Sequence, residues 1–355
     1  MKIIVTKQLI ESILINIQPF LEKKDASQIT SHVYIEAKNN ICTIKATDSE
    51  IGLITKTDNV IIEEEGSITA NGKRLLDIIR ILKNEEEIIL EQIEDNIFIK
   101  QNKSKFKLSI FNPETFPIFP NIENKSKIKL DSITLIKGLK HILPSIDNNN
   151  PKFELNGALI DIKKNITHLV GTDTRRLSVM SIQNLSPNEI SIIIPKKAII
   201  EIQKLFINQI EIYYDQTNLI IKNENYFFFT RLINGNYPNY QRIIPKNANY
   251  NLMLPKQEMT NAIKMIATIS QEIKITFQKD SIIFNSLGTD NIEAKTELLI
   301  QTPLDNFELN VNSKYLLDFI SQVDNLEFEI LLNEPTLPFV LKDNQFITVI
   351  MPIIV

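Results

Sequence analysis

The stretch GTDTRRLSV, residues 171–179, decides the fold, because its pattern returns twice more along the chain. ITHLV (166–170) before it, and Leu177 and Val179 after it, are apolar at strand-like spacing, while Gly171 and Asp173 mark a turn. The reading is a strand–turn–strand corner carrying two adjacent arginines, Arg175 and Arg176, with no acidic partner in evident reach. Its Thr-Asp pair lies at 172–173, KATDSEI places another at 47–48, and LGTDNIE a third at 289–290. An amphipathic segment follows each: GKRLLDIIRIL (72–82), PKKAIIEIQKLF (195–206) and NSKYLLDFISQV (312–323). From each Asp to the lysine that opens its segment the separations are 25, 24 and 24 residues.

The side-chain pattern repeats as well. Lys73, Asp77 and Arg80 stand at i, i+4 and i+7, as do Lys197, Glu201 and Lys204, and Lys314, Asp318 and Ser321. That spacing puts each trio on one helix face, with Leu and Ile on the other. A strand-like run and a further amphipathic segment open each unit (2–17, 127–143 and 250–269), and a strand-rich stretch closes it (105–111, 226–233 and 345–355). FNPETFPIFPNIENKS (111–126) and YPNYQRIIPKNAN (237–249), rich in Pro and Asn, read as connections. The expectation is an α+β chain of three copies of one unit, each with two helices on antiparallel strands, with domains at 1–118, 127–245 and 246–355. The repeat of about 120 residues is far longer than the ~20–50 of solenoids and propellers.

Composition narrows the class. A chain of 355 residues, 43% hydrophobic and 23% charged, has ample material for several cores. No apolar run approaches the ~18 residues of a membrane helix. The opening MKIIVTKQLIESI is broken by polar residues and does not read as a signal peptide. Cys42 is the one cysteine, which excludes an internal disulfide and a cysteine-based zinc site. A cytoplasmic location is expected.

Catalytic patterns do not assemble. His32, His141 and His168 are widely spaced and form no metal-ligand pair at helical spacing. The chain contains no GxGxxG or GxxxxGK phosphate loop and no GxSxG elbow. Cys42 lies in the apolar alternation ICTIKA and reads as a buried thiol, and the glutamate runs at 61–67 and 83–95 read as solvated strand ends. No catalytic residue, metal or cofactor is expected, and the chain is read as a non-enzyme.

Charge is distributed unevenly. The chain carries −4 overall, yet none of the six helical windows is net negative, so acidic residues concentrate in strands and loops. A surface of basic helices facing a polyanion accounts for this, with salt-sensitive and sequence-independent attraction to phosphate.

The chain resembles the bacterial sliding clamps, the beta subunits of DNA polymerase III, over its whole length. FELNGALI (153–160), VGTDTRRLSV (170–179), IIIPKKAIIEI (192–202), FTRLINGNYPNYQRIIP (229–245), NSKYLLDFI (312–320) and VIMPIIV (349–355) carry the resemblance. It implies a head-to-tail homodimeric ring that encircles duplex DNA without sequence preference and tethers the replicative polymerase. It further implies loading by an ATP-driven clamp loader, and no membrane partner. The implied groove for clamp-binding peptides comprises Leu155, Thr172, Thr174, Arg176, Leu177, Pro238, Arg242, Ile243, Val349, Met351, Pro352 and Ile353. Arg176 is expected to lay its stem along that groove and offer guanidinium donors to peptide carbonyls. Lys24, Lys73, Arg80, Lys137, Lys197 and Lys204 are expected to face DNA, and Leu82, Phe106, Leu108 and Ile269 to form the dimer interface. Thr174, Arg175, Glu154 and Ile354 depart from the family pattern. A peptide-binding scaffold without DNA is the alternative; it would share the groove but need neither ring contacts nor basic helix faces.

Overall fold

The computed structural model describes residues 1–186, 188–288 and 293–354. Among the described residues six α-helices lie where the amphipathic pattern places them: α1 Lys7–Ile17, α2 Gly72–Ile81, α3 Ser132–Ile142, α4 Lys196–Leu205, α5 Lys256–Ala267 and α6 Ser313–Ile320. Asparagine opens two of them. The Asn71 side chain accepts from the Arg74 N–H (3.0 Å) and the Asn312 side chain from the Lys314 N–H (2.9 Å), satisfying donors that a helix start leaves free. Helix α1 lies beside α2, and its first residue ties them: Lys7 Nζ donates to the carbonyls of Arg80 (3.0 Å) and Leu82 (2.5 Å). In the third repeat Lys256, which opens α5, donates likewise to the Val323 carbonyl at 2.5 Å, just beyond α6.

The strands do not respect the repeat boundaries. Contacts divide the chain into two compact units, residues 1–132 with 201–232, and residues 133–200 with 233–355. In the first, eight antiparallel strands run in the order Ser126–Ile128, Glu211–Tyr214, Asn218–Lys222, Tyr226–Arg231, Ile51–Thr57, Ile41–Thr47, His32–Lys38, Gly66–Asn71. Half of that sheet comes from the middle repeat and half from the first. In the second unit Ile190–Pro195, Gly157–Ile162, Ile166–Thr172 and Arg176–Gln183 are continued by Phe346–Ile350, Phe339–Asp343, Glu327–Leu332 and Tyr250–Pro255. Each unit also holds a shorter sheet. In the first it is Ile61–Glu64, Lys2–Thr6, Glu87–Ile93, Asn96–Gln101, Ser104–Ser109, and in the second Lys295–Leu299, Ser281–Ser286, Glu272–Phe277, Phe307–Asn312.

Helices cover one face of these sheets. Phe20 of the first unit meets Phe228 edge-on at 5.9 Å, and Phe206 meets the same ring at 6.2 Å. In the second unit Phe346 stacks on Phe319 of α6 at 5.1 Å and meets His141 of α3 at 4.9 Å. Cys42 is buried as expected, and burial pushes its thiol up to about 12.

The Thr-Asp corners have one geometry. At the first, the Thr47 hydroxyl donates to the Ile51 carbonyl (2.8 Å) and accepts from the Ser49 N–H (2.9 Å), while Asp48 Oδ1 accepts from the N–H groups of Glu50 and Ile51. At the second, Thr172 donates to Arg176 O (2.6 Å) and accepts from the Thr174 N–H (3.1 Å), and Asp173 Oδ1 accepts from the N–H groups of Arg175 and Arg176. Ser49 and Thr174 both hold left-handed φ, 76° and 73°, which glycine would adopt without strain. The third corner, Thr289 and Asp290, lies outside the described residues. Because the hydroxyl serves two backbone groups in each corner, Thr47→Val and Thr172→Val are each expected to cost about 1–2 kcal/mol in urea unfolding. A loss at only one of them would show that the shared motif does not do the same structural work.

Candidate functional site

The second unit exposes an apolar surface on the sheet face away from the helices. Alternation along Arg176–Gln183 and Phe346–Ile350 divides the side chains. Ser178 and Thr348 face inward, their hydroxyls 2.8 Å apart, with Ser178 also 2.7 Å from Ser145. Leu177 and Val179 face outward and are cross-strand partners of Val349 and Ile347. Leu177, Val179, Val349, Ile233 and Tyr240 belong to one buried cluster, with Tyr237, Ile244 and Ile347 packed half-exposed against it. Exposed Ile243 (45%) and Met351 (42%) add further apolar surface from the same chain segments, 237–244 and 347–353.

Three separated segments therefore meet here, and polar contacts hold two of them in place. The Tyr240 hydroxyl donates to Asp161 Oδ2 at 2.9 Å, fixing the Pro- and Asn-rich connection on the sheet; burial and that carboxylate push the phenol up. Its ring lies 5.9 Å from that of His168, which is a half-buried packing residue. Residues 351–353 are docked: the Met351 N–H donates to Arg175 O (2.9 Å) and the Ile353 N–H to Asn310 O (2.8 Å).

Of the residues expected at a groove, Leu177 and Val349 lie in the buried cluster itself. Thr174, Arg242, Ile243 and Met351 are exposed, and Pro238 and Ile353 half-buried. Leu155, Thr172 and Pro352 are buried, Leu155 in the short turn Phe153–Asn156 and Thr172 with its hydroxyl spent on the corner. Tyr237, Tyr240, Ile244 and Ile347 were not anticipated. Period-two alternation through 347 and 349 would have revealed Ile347, and the aromatic pair inside YPNY was the signal for the two tyrosines.

Arg176 corrects two expectations. It does have acidic partners, and its guanidinium does not face outward. Only 4% exposed, it donates from Nε to Asp173 Oδ2 (3.1 Å), from Nη1 to Asp318 Oδ2 (2.7 Å) and from Nη2 to Pro144 O (2.5 Å), with its guanidinium over the Tyr315 ring. A buried cation must be matched by charge and hydrogen bonds, and the half-buried Asp318 supplies both.

The basic helix residues are exposed but not uniformly free. Lys137 pairs with Asp324 (2.7 Å), Lys204 with the buried Glu201 (2.9 Å), and Arg80 lies 3.9 Å from Glu11. Lys197 is exposed, while Lys24 and Lys73 have no ion-pair partner among the described residues. A pocket of about 790 Å³ on the face of α1 and α2 is bordered by Lys23, Lys73, Arg74 and Arg80. Phe106 and Leu108 are half-buried on the edge strand Ser104–Ser109, Ile269 is 49% exposed, and Leu82 is buried in its own unit. No cluster of His, Cys, Asp and Glu suited to a metal occurs among the described residues, and none of the described helices is long and apolar enough to cross a membrane.

Family profiles of the DNA polymerase III beta subunit match the chain in three consecutive pieces, the N-terminal domain over residues 1–120, the central domain over 129–239 and the C-terminal domain over 241–354. The beta sliding clamp of Helicobacter pylori strain J99 is 39% identical over 353 residues, 97% of this chain and 94% of the relative. That of Staphylococcus aureus is 27% identical over 350 residues, 92% of each. A crystal structure of the Helicobacter pylori beta clamp bound to a DNA ligase peptide matches with a TM-score of 0.94 at 38% identity over the full length of both chains. Repeats, sheets and relatives agree, and the chain belongs to the DNA polymerase III beta subunit family, the bacterial beta sliding clamps.

Proposed function

We propose that this chain is a DNA sliding clamp: two copies close head to tail around duplex DNA, and the groove tethers the replicative polymerase and other proteins through short apolar peptides. A clamp loader opens and closes the ring, and the clamp itself, a cytoplasmic protein, catalyses nothing. Its three domains run over 1–118, 127–245 and 246–355.

The observation that carries the reading is the pair of uncompleted sheets. Within the chain, Ile51–Thr57 pairs with Tyr226–Arg231, and Arg176–Gln183 with Phe346–Ile350, each joining consecutive repeats. Among the described residues, Lys295–Leu299 and Ser104–Ser109 are edge strands that hold the corresponding places in their own sheets and have no such partner. Pairing one copy's Lys295–Leu299 with another's Ser104–Ser109 gives a third sheet of the same build and removes both free edges. Phe106 and Leu108 are cross-strand partners of the fully buried Ile99 and Ile97, yet remain half-exposed themselves. A second copy covers them, with Ile269 at the contact and Leu82 packed behind.

Lys24, Lys73, Arg80, Lys137, Lys197 and Lys204 meet backbone phosphates, which hold a duplex without reading its bases. The groove takes its peptide on Leu177, Val349 and Met351, with Tyr237, Ile244 and Ile347 beside them and Leu155, Thr172, Thr174, Pro238, Arg242, Ile243, Pro352 and Ile353 shaping its floor and rim. Arg176 supports it from below.

Three measurements test this. Phe106→Ala should weaken the dimer by about 3–5 kcal/mol if a second copy buries the ring, and an unchanged sedimentation profile for Phe106→Ala with Ile269→Ala would remove this interface. Replacing Lys24 and Lys73 with Ala should lower the slope of log K against log salt by about 2 for each copy in the ring, equally on any duplex, since neither lysine has an ion-pair partner among the described residues to give up on binding phosphate. Deleting Met351–Val355 should abolish binding of a DNA ligase peptide in calorimetry and leave the dimer mass intact; undiminished affinity would place the groove elsewhere.

A further inference from the structure

The first corner is an internal control for Arg176. Asp48 N–H donates to Ile51 O as Asp173 N–H donates to Arg176 O, so Ile51 and Arg176 hold the same place in the same turn. Ile51 is 1% exposed and Arg176 4%. An aliphatic side chain thus satisfies the fold at this position, whereas a guanidinium has to be stripped of water and matched by partners. The arginine points to a task that the first corner does not have.

Its partners say what that task is. Asp318 of α6 holds Arg176 Nη1 through Oδ2 at 2.7 Å, and the same oxygen takes Lys314 Nζ at 2.9 Å. Lys314 is 60% exposed at its side chain, Asp318 24% and Arg176 3%. One carboxylate oxygen is therefore divided between a solvent-facing cation and a buried one. Beyond the buried cation lies the groove: Leu177 of its floor is the next residue, Ile350 is the cross-strand partner of Arg176, and Arg175 O anchors the chain end through Met351.

We infer that Asp318 is a positioning residue of the peptide groove, and that Lys314 makes its hold on Arg176 depend on what lies against α6. This rests on the clamp reading, in which the exposed helix faces meet DNA. A phosphate that draws Lys314 away leaves the whole Asp318 charge to Arg176, which fixes the corner and the groove floor more firmly for a peptide. Linkage is reciprocal, so a bound peptide favours the DNA-bound state by the same factor.

The test uses the full-length dimer, a fluorescent DNA ligase peptide and a short duplex of arbitrary sequence, read by anisotropy. Duplex is expected to tighten the peptide about fivefold, at the lower end of usual couplings. Lys314→Ala should bind the peptide with that tighter affinity before any duplex is added and show no further gain. Asp318→Asn should bind it more weakly and respond to duplex no longer. Unchanged wild-type affinity in the presence of bound duplex, or a full response in Lys314→Ala, overturns the inference and leaves the clamp reading standing. A wild-type chain that binds neither peptide nor duplex overturns both.

Discussion

An exposed strand edge is a row of unsatisfied N–H and C=O groups, and the arrangement of this chain follows from how those rows are closed. The middle repeat builds two half-sheets and completes neither alone. Pairing Arg176–Gln183 with Phe346–Ile350 joins the middle repeat to the third and sets Leu177 opposite Val349. It also brings the chain end close enough for Met351 to bond Arg175. Pairing Tyr226–Arg231 with Ile51–Thr57 performs the same service in the first unit, where it seats Phe228 in the core. The apolar surface is therefore a by-product of a structural necessity: the seam between repeats, seen from the face without helices.

That face would be too apolar to leave bare, and the connection between repeats covers part of it. Tyr237 and Tyr240 lie on it, the latter tethered to Asp161, so the connection is held by burial and by a charge-assisted hydrogen bond together. What stays accessible is a rim of Ile243, Ile347 and Met351 around a packed floor. Such a surface suits a short apolar ligand, because the floor is already ordered before anything binds.

The exposed helix faces are polar by contrast. Exposed ion pairs such as Lys137–Asp324 contribute ~0–1 kcal/mol, so each holds its two side chains only loosely. Burial acts on two inner side chains as well: the Cys42 thiol is pushed far above its ordinary range, and burial with nearby Arg74 pushes the His32 imidazole down to about 4.

What the sequence determined by itself was local. Amphipathic patterning placed the six described helices, and the Thr-Asp pair marked two corners whose hydrogen bonds span only five residues, so composition and period carried them. The connection read only as Pro- and Asn-rich, and packing against the sheet decided where its Tyr237 and Tyr240 lie. Nothing local told that a strand of one repeat would complete the sheet of the next, nor that Arg176 would turn inward to a carboxylate 142 residues away. An arginine beside a turn reads as solvated until the fold brings Asp318, Pro144 and Tyr315 beneath it. Partners so distant leave no period in the chain; only tertiary packing, by removing water from Arg176, made an ion pair there necessary.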